Sequence, residues 1–125
     1  MILLIAAVLN DEEMSSLIAT TERLGMQALV ETHAEDEVKR AVDAGAKLIG
    51  VNNRNLSSFE VDLRVSENLR KLIPDDLVAV AESGIRDRVD LLRLQASGYS
   101  VFLVGSSLMA SPNPGAGLKA LVTGS

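Results

Sequence analysis

Two serine and glycine pairs follow strand-like apolar runs in the second half of the chain. The pairs are Ser83–Gly84 and Gly105–Ser106. Where a parallel strand gives way to a helix, free backbone N–H groups point outward, and glycine lets a phosphate approach them closely. The two loops therefore predict a phosphate-binding site, and a short helix over Ser106–Met109 would complete it.

Acidic and amide residues also end strand-like runs. Glu31, Asn52 and Glu82 each close one run, and Arg54 follows two residues after Asn52. One such residue alone is more typical of a helix cap or a turn. Together with the Gly105 loop, however, four consecutive runs end in polar residues, which helix capping does not require. Because the carboxyl ends of parallel strands form the ligand-binding edge of α/β proteins, the pattern indicates a functional site there.

The composition excludes several classes of protein. A length of 125 residues, with 47% hydrophobic and 23% charged residues, predicts a single folded domain over residues 1–125. The net charge of −5 argues against a nucleic acid or an anionic membrane as partner. The chain has no cysteine and one histidine, which are too few metal-binding side chains for a typical metal site, so we expect no metal. We also expect no cofactor. Because the absence of cysteine rules out a disulfide framework, we expect a cytoplasmic location.

The apolar segment 2–9 is similar in composition to a signal or membrane segment. Eight apolar residues are too few to cross a bilayer, no basic residue precedes them, and Asp11, Glu12 and Glu13 follow closely. A strand covered on both faces also reads as a continuous apolar run. We therefore expect a buried parallel strand over 2–9.

Strand-like and helix-like segments alternate along the rest of the chain. Capping-box patterns at Asn10 and Glu13, and at Thr32 and Glu35, predict two helix starts. Strands are predicted over 2–9, 27–31, 47–52, 77–82 and 101–104, and later helices over 65–73, 87–96 and 116–122. This order predicts an α/β fold with a parallel sheet. Periodicity alone leaves open a doubly wound sheet or part of a barrel.

Four segments carry a resemblance to a known family. They are LVETH (29–33), IGVNNRNL (49–56), AESGI (81–85) and FLVGSSLM (102–109). In this order and at this spacing, the chain resembles the C-terminal part of indole-3-glycerol-phosphate synthase, a TIM (β/α)8 barrel enzyme of tryptophan biosynthesis. The resemblance implies that the five strands are the fourth to eighth of the barrel, forming an incomplete barrel without the first three strands and their catalytic lysines.

The resemblance also implies a reaction and roles in it. The family closes the indole ring of 1-(2-carboxyphenylamino)-1-deoxyribulose 5-phosphate with decarboxylation and dehydration. Glu31 would be the general acid or base, Asn52 would orient it or the substrate, and Glu82 would bind a substrate hydroxyl with help from Ser83. The backbone of Gly84, Gly105 and Ser106 would hold the phosphate, and Arg54 would bind substrate or anchor its loop.

Three residues near these motifs call for separate expectations. Asn55 stands where the family usually has aspartate, so we expect a weaker contact to Arg54. Thr32 stands where valine is usual and is expected to point away from the site. His33, the only histidine, is interpreted as an ordinary loop or helix-start residue.

Two further functions are compatible with the same residues. One is a truncated or engineered half-barrel that binds without catalysis and associates with itself, pairing segments 2–9 or 101–104 between copies. The other is a related phosphate-binding barrel enzyme such as an isomerase. If the chain is part of a synthase, we expect it to bind a phosphorylated small molecule. We also expect it to associate either with a second copy, as a homodimer, or with the missing half of the barrel.

Overall fold

The computed structural model describes all residues from Met1 to Ser125 and contains one parallel sheet of five strands. The strands are β1 (Ile2–Ile5), β2 (Ala28–Thr32), β3 (Leu48–Asn52), β4 (Val78–Glu82) and β5 (Val101–Leu103). The helices are α1 (Asp11–Arg23), α2 (Glu35–Asp43), α3 (Arg64–Leu69), α4 (Arg88–Ala96), α5 (Ser106–Met109) and α6 (Pro114–Thr123). No helix combines the length and the apolar character needed to cross a membrane.

The order of the strands decides between the two architectures that the sequence left open. Each strand pairs with the next one along the chain, giving the order β1-β2-β3-β4-β5. A doubly wound sheet reverses direction at a switch point, whereas a (β/α) barrel adds its strands in sequence. The fold is therefore part of a (β/α) barrel, as predicted, and β1 and β5 form its two open edges.

Two predicted helix starts have different outcomes. At Asn10 the capping box is present, because the Asn10 side chain accepts from the backbone N–H of Glu13 and the Glu13 carboxylate accepts from that of Asn10. The predicted box at Thr32 and Glu35 is wrong. Thr32 ends β2, and its hydroxyl donates to the carbonyl oxygen of Gly50 at 2.8 Å, so it is not free to cap α2.

Several element boundaries differ from the prediction. The predicted strand 2–9 ends at Ile5, because residues Ala6–Val8 turn into a short 3-10 helix. The predicted helix 65–73 divides into α3 and a 3-10 turn over Arg70–Leu72. The last helix starts at Pro114, two residues before the prediction, since the Asn113 side chain caps it and proline suits a first helical position.

The two faces of the sheet have different surroundings. Alternate residues point to opposite faces, and residues paired across strands share a face. One face packs on the helices, and its members Leu4, Val30, Ile49, Val51, Ala79 and Ala81 belong to the hydrophobic core. We call the other the inner face; its residues include Leu3, Leu29, Glu31, Gly50, Glu82 and Leu103. The inner face is only partly exposed, since Leu3 and Leu103 are 51% and 47% exposed whereas Leu29 is buried.

Candidate active site

Three of the predicted site residues lie together at the carboxyl edge of the inner face. Glu31 is near the end of β2, Asn52 ends β3 and Glu82 ends β4. Asn52 and Glu82 are paired in the register of β3 and β4. All three side chains are buried, with 6%, 9% and 4% of the residue exposed for Glu31, Asn52 and Glu82. Three neighbouring strands thus converge on one polar cluster.

Asn52 fixes the geometry of this cluster. Its side-chain amide donates to Glu31 Oε1 at 3.0 Å, and its Oδ1 accepts from the backbone N–H of Arg54 at 3.0 Å. Since the two partners need opposite ends of the amide, they determine its orientation. Asn52 therefore holds the Glu31 carboxylate and the start of the following loop at the same time.

The surroundings of the Glu82 carboxyl group favour its protonated form. Burial of its carboxyl group, together with a hydrogen bond and charge repulsion from Glu31, raises the pKa of Glu82 to about 8. Its Oε1 is buried and has no hydrogen-bond partner. The pair therefore combines a carboxylic acid with a neighbouring carboxyl side chain, an arrangement suited to moving a proton or binding a hydroxyl group.

His33 lies against this cluster, which the interpretation as an ordinary loop residue missed. Its Nε2 is 3.2 Å from Glu31 Oε1, and its Nδ1 is 3.4 Å from Glu37 Oε2. The Glu37 carboxylate also accepts from the backbone N–H of His33 at 2.6 Å. A signal was present in the sequence, since residues two apart in an extended chain share a face, and His33 follows Glu31 at that spacing.

The loop after β3 is held by Arg54 and Asn55. The Arg54 guanidinium donates to the carbonyl oxygen of Phe59 at 3.1 Å, a hydrogen bond within the loop. The Asn55 Oδ1 accepts from the backbone N–H groups of Ser57 and Ser58 at 2.8 and 3.0 Å. Asn55 thus orders the turn through the backbone.

Asn53 was not singled out from the sequence, yet it joins three elements. Its backbone N–H donates to the Glu82 carbonyl at 2.8 Å, and its side-chain amide donates to the Ser83 carbonyl at 3.1 Å. Its Oδ1 accepts from the backbone N–H of Ser66 at 3.0 Å in α3. Buried to 2% exposure, Asn53 fixes the loop after β4 relative to β3.

The loop after β4 has an unusual backbone. Ser83 and Gly84 both have positive φ, of 64° and 80°. A Cβ at Gly84 would lie 2.5 Å from Val61 Cγ1, so only glycine fits this turn. Glycine is therefore required at position 84 because the backbone there packs closely against the Val61 side chain.

The loop after β5 is more open. Gly105 precedes α5 at its N-cap position, and a Cβ there would meet nothing within 4 Å. The short helix predicted over Ser106–Met109 is confirmed as α5. Ser107 Oγ donates to the Ile85 carbonyl at 2.9 Å and links this helix to the loop after β4.

A cleft of about 510 Å³ adjoins both loops. Arg54, Gly84 and Ser106 line it, together with the charged residues Arg86, Arg93, Asp62 and Asp90. Glu31, Asn52 and Glu82 lie outside the cleft lining, as do Ser83 and Gly105. Three predicted residues thus form a carboxyl cluster on three strands, three line a cleft of mixed charge beside the loops, and Ser83 and Gly105 belong to neither.

Comparison with known proteins identifies the family. The family model described as "Indole-3-glycerol phosphate synthase" matches residues 1–121. The chain belongs to the indole-3-glycerol phosphate synthase family. The family resemblance predicted from the four sequence segments is thereby confirmed.

Relatives in this family show how much of a family member the chain represents. It is 46% identical over 120 residues to the indole-3-glycerol phosphate synthase of Ruminiclostridium cellulolyticum, a match that covers 96% of the chain and 46% of the relative. It is 45% identical over 121 residues to the multifunctional tryptophan biosynthesis protein of Schizosaccharomyces pombe, covering 97% of the chain and 16% of that protein. The chain spans about half the length of the single-function relatives that it matches.

Solved structures support the fold alone. The mandelate oxidase complex with benzoyl-formic acid matches with a TM-score of 0.67 at 23% identity, covering 91% of this chain and 35% of that one. The BexX/CysO complex of Amycolatopsis orientalis matches with a TM-score of 0.61 at 18% identity, covering 93% of this chain and 52% of that one. At these identities the likeness concerns the arrangement of strands and helices.

Proposed function

We propose that the chain forms the substrate-binding wall of an indole-3-glycerol-phosphate synthase and carries part of its catalytic machinery. The reaction would be ring closure of 1-(2-carboxyphenylamino)-1-deoxyribulose 5-phosphate with release of carbon dioxide and water. The observation that supports this is the buried cluster of Glu31, Asn52 and Glu82 in a chain of this family.

Each member of the cluster has a proposed part in the reaction. Dehydration needs a group that protonates the departing hydroxyl and one that removes a proton from carbon, and Glu31 would supply general acid or base catalysis. Asn52 would keep the Glu31 carboxylate in place through the 3.0 Å hydrogen bond. Protonated at neutral pH, Glu82 would donate a hydrogen bond to a substrate hydroxyl, and Ser83 would assist it.

The phosphate of the substrate would bind at the loops after β4 and β5. Backbone N–H groups of Gly84, Gly105 and Ser106 are the proposed ligands, and the openness of the Gly105 backbone supports this. Arg54, which lines the adjoining cleft, would add positive charge.

Binding of inorganic phosphate, followed by amide chemical shifts, tests these ligands. The shifts are expected to move at Gly84, Gly105 and Ser106, and Gly105→Val should abolish the effect, since a branched side chain blocks access to the amides. Gly115→Val in α6 is the matched control, because a Cβ at Gly115 meets only Asn113 Oδ1, at 3.5 Å, and no residue of these loops. Unchanged phosphate binding in Gly105→Val would remove this loop from the site.

A partner would cover the inner face. Leu3, Val101 and Leu103 are 51%, 41% and 47% exposed, and β1 and β5 each leave one edge unpaired. Exposed apolar strands with free edges associate readily. We propose that either a second copy or the remaining half of a family barrel covers this face. Light scattering of the purified chain distinguishes a dimer from a monomer that needs the other half.

A cytoplasmic location is also part of the proposal. The chain contains no cysteine, as expected of a protein that does not depend on disulfide bonds. Fractionation of cells that express the chain, with detection in the cytoplasmic fraction, tests this location.

Complementation tests the function itself. The chain would be expressed together with the part of the Ruminiclostridium cellulolyticum relative that it does not match, and formation of indole-3-glycerol phosphate would be measured. We expect activity from the pair and a loss of about a hundredfold or more in Glu31→Gln, since a general acid or base contributes this much. Glu35→Gln, an exposed carboxylate on α2, is the control. A stable complex without activity would contradict the proposal.

A further inference from the structure

Gly50 lies on the inner face between the two glutamates of the carboxyl cluster. It pairs with Glu31 of β2 and with Val80 of β4 in the strand register. The Glu82 side chain lies across it. A Cβ built on Gly50 would be 2.1 Å from Glu82 Oε1 and 3.0 Å from Glu82 Cδ. The carboxyl group of Glu82 therefore occupies the space that any other residue at position 50 would fill.

We propose that Gly50 is a positioning residue, whose missing side chain provides the space through which Glu82 crosses β3 and reaches Glu31. The inference deepens the proposed function, on which its catalytic meaning rests. The contact between the Glu82 side chain and Gly50 is a property of the folded chain, so it can be tested without measuring any reaction.

The backbone at Gly50 gives no other reason for glycine. Gly50 is not among the glycines with positive φ and sits within the regular pairing of β3. An alanine has access to this extended conformation. Space for Glu82, and to a smaller degree for Leu29 Cδ1 at 3.3 Å, is what a side chain at this position would remove.

The atoms in the way belong to the far end of a flexible side chain. Real Cβ atoms do not approach to 2.1 Å, so an alanine at position 50 forces Glu82 to move. Rotation of the Glu82 side chain relieves the clash at a modest rotamer cost, whereas the strands can keep their register. Gly50→Ala is therefore expected to fold and to separate the two carboxyl groups.

The groups facing Glu82 make this separation measurable. Glu31 on β2 is the acidic group across Gly50, and His33 Nε2 lies 3.2 Å from Glu31 Oε1. The facing residue on β3 is the neutral Asn52, and β5 contains no charged residue. Movement of Glu82 away from Glu31 and towards water removes all three causes that raise its pKa, namely burial, the hydrogen bond with Glu31 and the charge repulsion from Glu31.

A carboxyl titration by NMR tests the inference. The chain is labelled with 13C at the glutamate carboxyl carbons, and the Glu82 signal is assigned by its loss in Glu82→Gln. In the unchanged chain Glu82 should titrate with a pKa of about 8, and in Gly50→Ala the pKa should fall towards the ordinary value of 4.5. Gly115→Ala, where a Cβ meets only Asn113 Oδ1 at 3.5 Å, should leave the titration unchanged.

A pKa of Glu82 that stays near 8 in a folded Gly50→Ala variant would overturn the inference. If Gly50→Ala does not fold, the double variant Gly50→Ala/Glu82→Ala decides: recovery of folding identifies Glu82 as the obstacle, and continued failure refutes the inference. The proposed function fails separately, since loss of complementation activity leaves the titration of the chain unaffected.

Discussion

The two faces of this sheet are built from alternate residues of the same strands, yet they have opposite physical characters. The helix-covered face is almost wholly apolar and closed to water, with Val30, Ile49 and Val51 at 0% exposure. The inner face combines half-exposed apolar residues such as Leu3 and Leu103 with the buried acids Glu31 and Glu82. The helix-covered face therefore supplies most of the hydrophobic core, whereas the inner face buries some apolar residues, such as Leu29, and also two acids.

The difference shows where a (β/α) unit can bury polar groups without losing its stability. A carboxyl group placed among the helices would lack partners and would destabilise the core. At the carboxyl edge of the inner face, Asn52 supplies a hydrogen bond and Gly50 supplies space, so two acids are accommodated together. The raised pKa of Glu82 reflects the remaining cost of this arrangement.

The largest expected effect comes from the apolar residues of β1. Leu4, 7% exposed, belongs to the core, whereas its neighbour Leu3 is 51% exposed on the inner face. Leu4→Ala should lower the free energy of unfolding by about 2–5 kcal/mol, and Leu3→Ala by less than about 1 kcal/mol. Denaturant unfolding of both variants measures this. Equal losses would show that the inner face is covered as completely as the other.

A second pair of neighbours tests the polar residues of β2. Thr32→Val removes the 2.8 Å hydrogen bond to the Gly50 carbonyl and should cost about 1 kcal/mol. Glu31→Gln keeps an acceptor for Asn52 and removes the charge beside Glu82, so at pH 9 it should leave the melting temperature unchanged or raised. Thermal unfolding at pH 9 compares them. A greater loss in Glu31→Gln than in Thr32→Val would contradict the view that function costs stability here.

The smallest expected effect concerns how helix α2 supports the cluster. Glu37 accepts from the backbone N–H of His33 at 2.6 Å and is partly buried, whereas Glu35 makes an exposed ion pair with Lys39 at 2.8 Å. Glu37→Gln should cost about 1 kcal/mol and Glu35→Gln less than about 0.5 kcal/mol. Urea unfolding of the two variants checks the difference, and reversed values would remove Glu37 from the support of the site.

Features governed by local sequence were predictable. The capping box at Asn10 depends on residues three apart, and the cluster of Glu31, Asn52 and Glu82 depends on where apolar runs end. The predicted end of the first strand was wrong because Ala6–Val8 are apolar like the strand but form a 3-10 helix. The composition therefore gives no sign that the strand stops at Ile5. The predicted capping box at Thr32 was wrong because the Thr32 hydroxyl donates to Gly50 on β3. A local sequence pattern does not include a partner on another strand.

The remaining parts of the site depend on pairing between strands. The role of Gly50 follows from its position beside Glu31 and under the Glu82 side chain, and Asn53 matters because it bonds both the loop after β4 and α3. These relations require the register of β3 against its neighbours. His33 is intermediate, since its spacing from Glu31 was visible in the sequence and its contact with Glu37 was not.

The pH dependence of stability tests the central claim, that the inner face holds Glu82 with its proton at neutral pH. The unfolded chain releases this proton near pH 4.5, whereas the folded chain keeps it until about pH 8. Deprotonation therefore favours unfolding, and this stability is full below pH 4.5 and lost as the pH rises through 8. Denaturant unfolding from pH 5 to 9 should show the unchanged chain losing up to about 1.4 kcal/mol per pH unit relative to Glu82→Gln. Parallel curves for the two proteins would contradict the account.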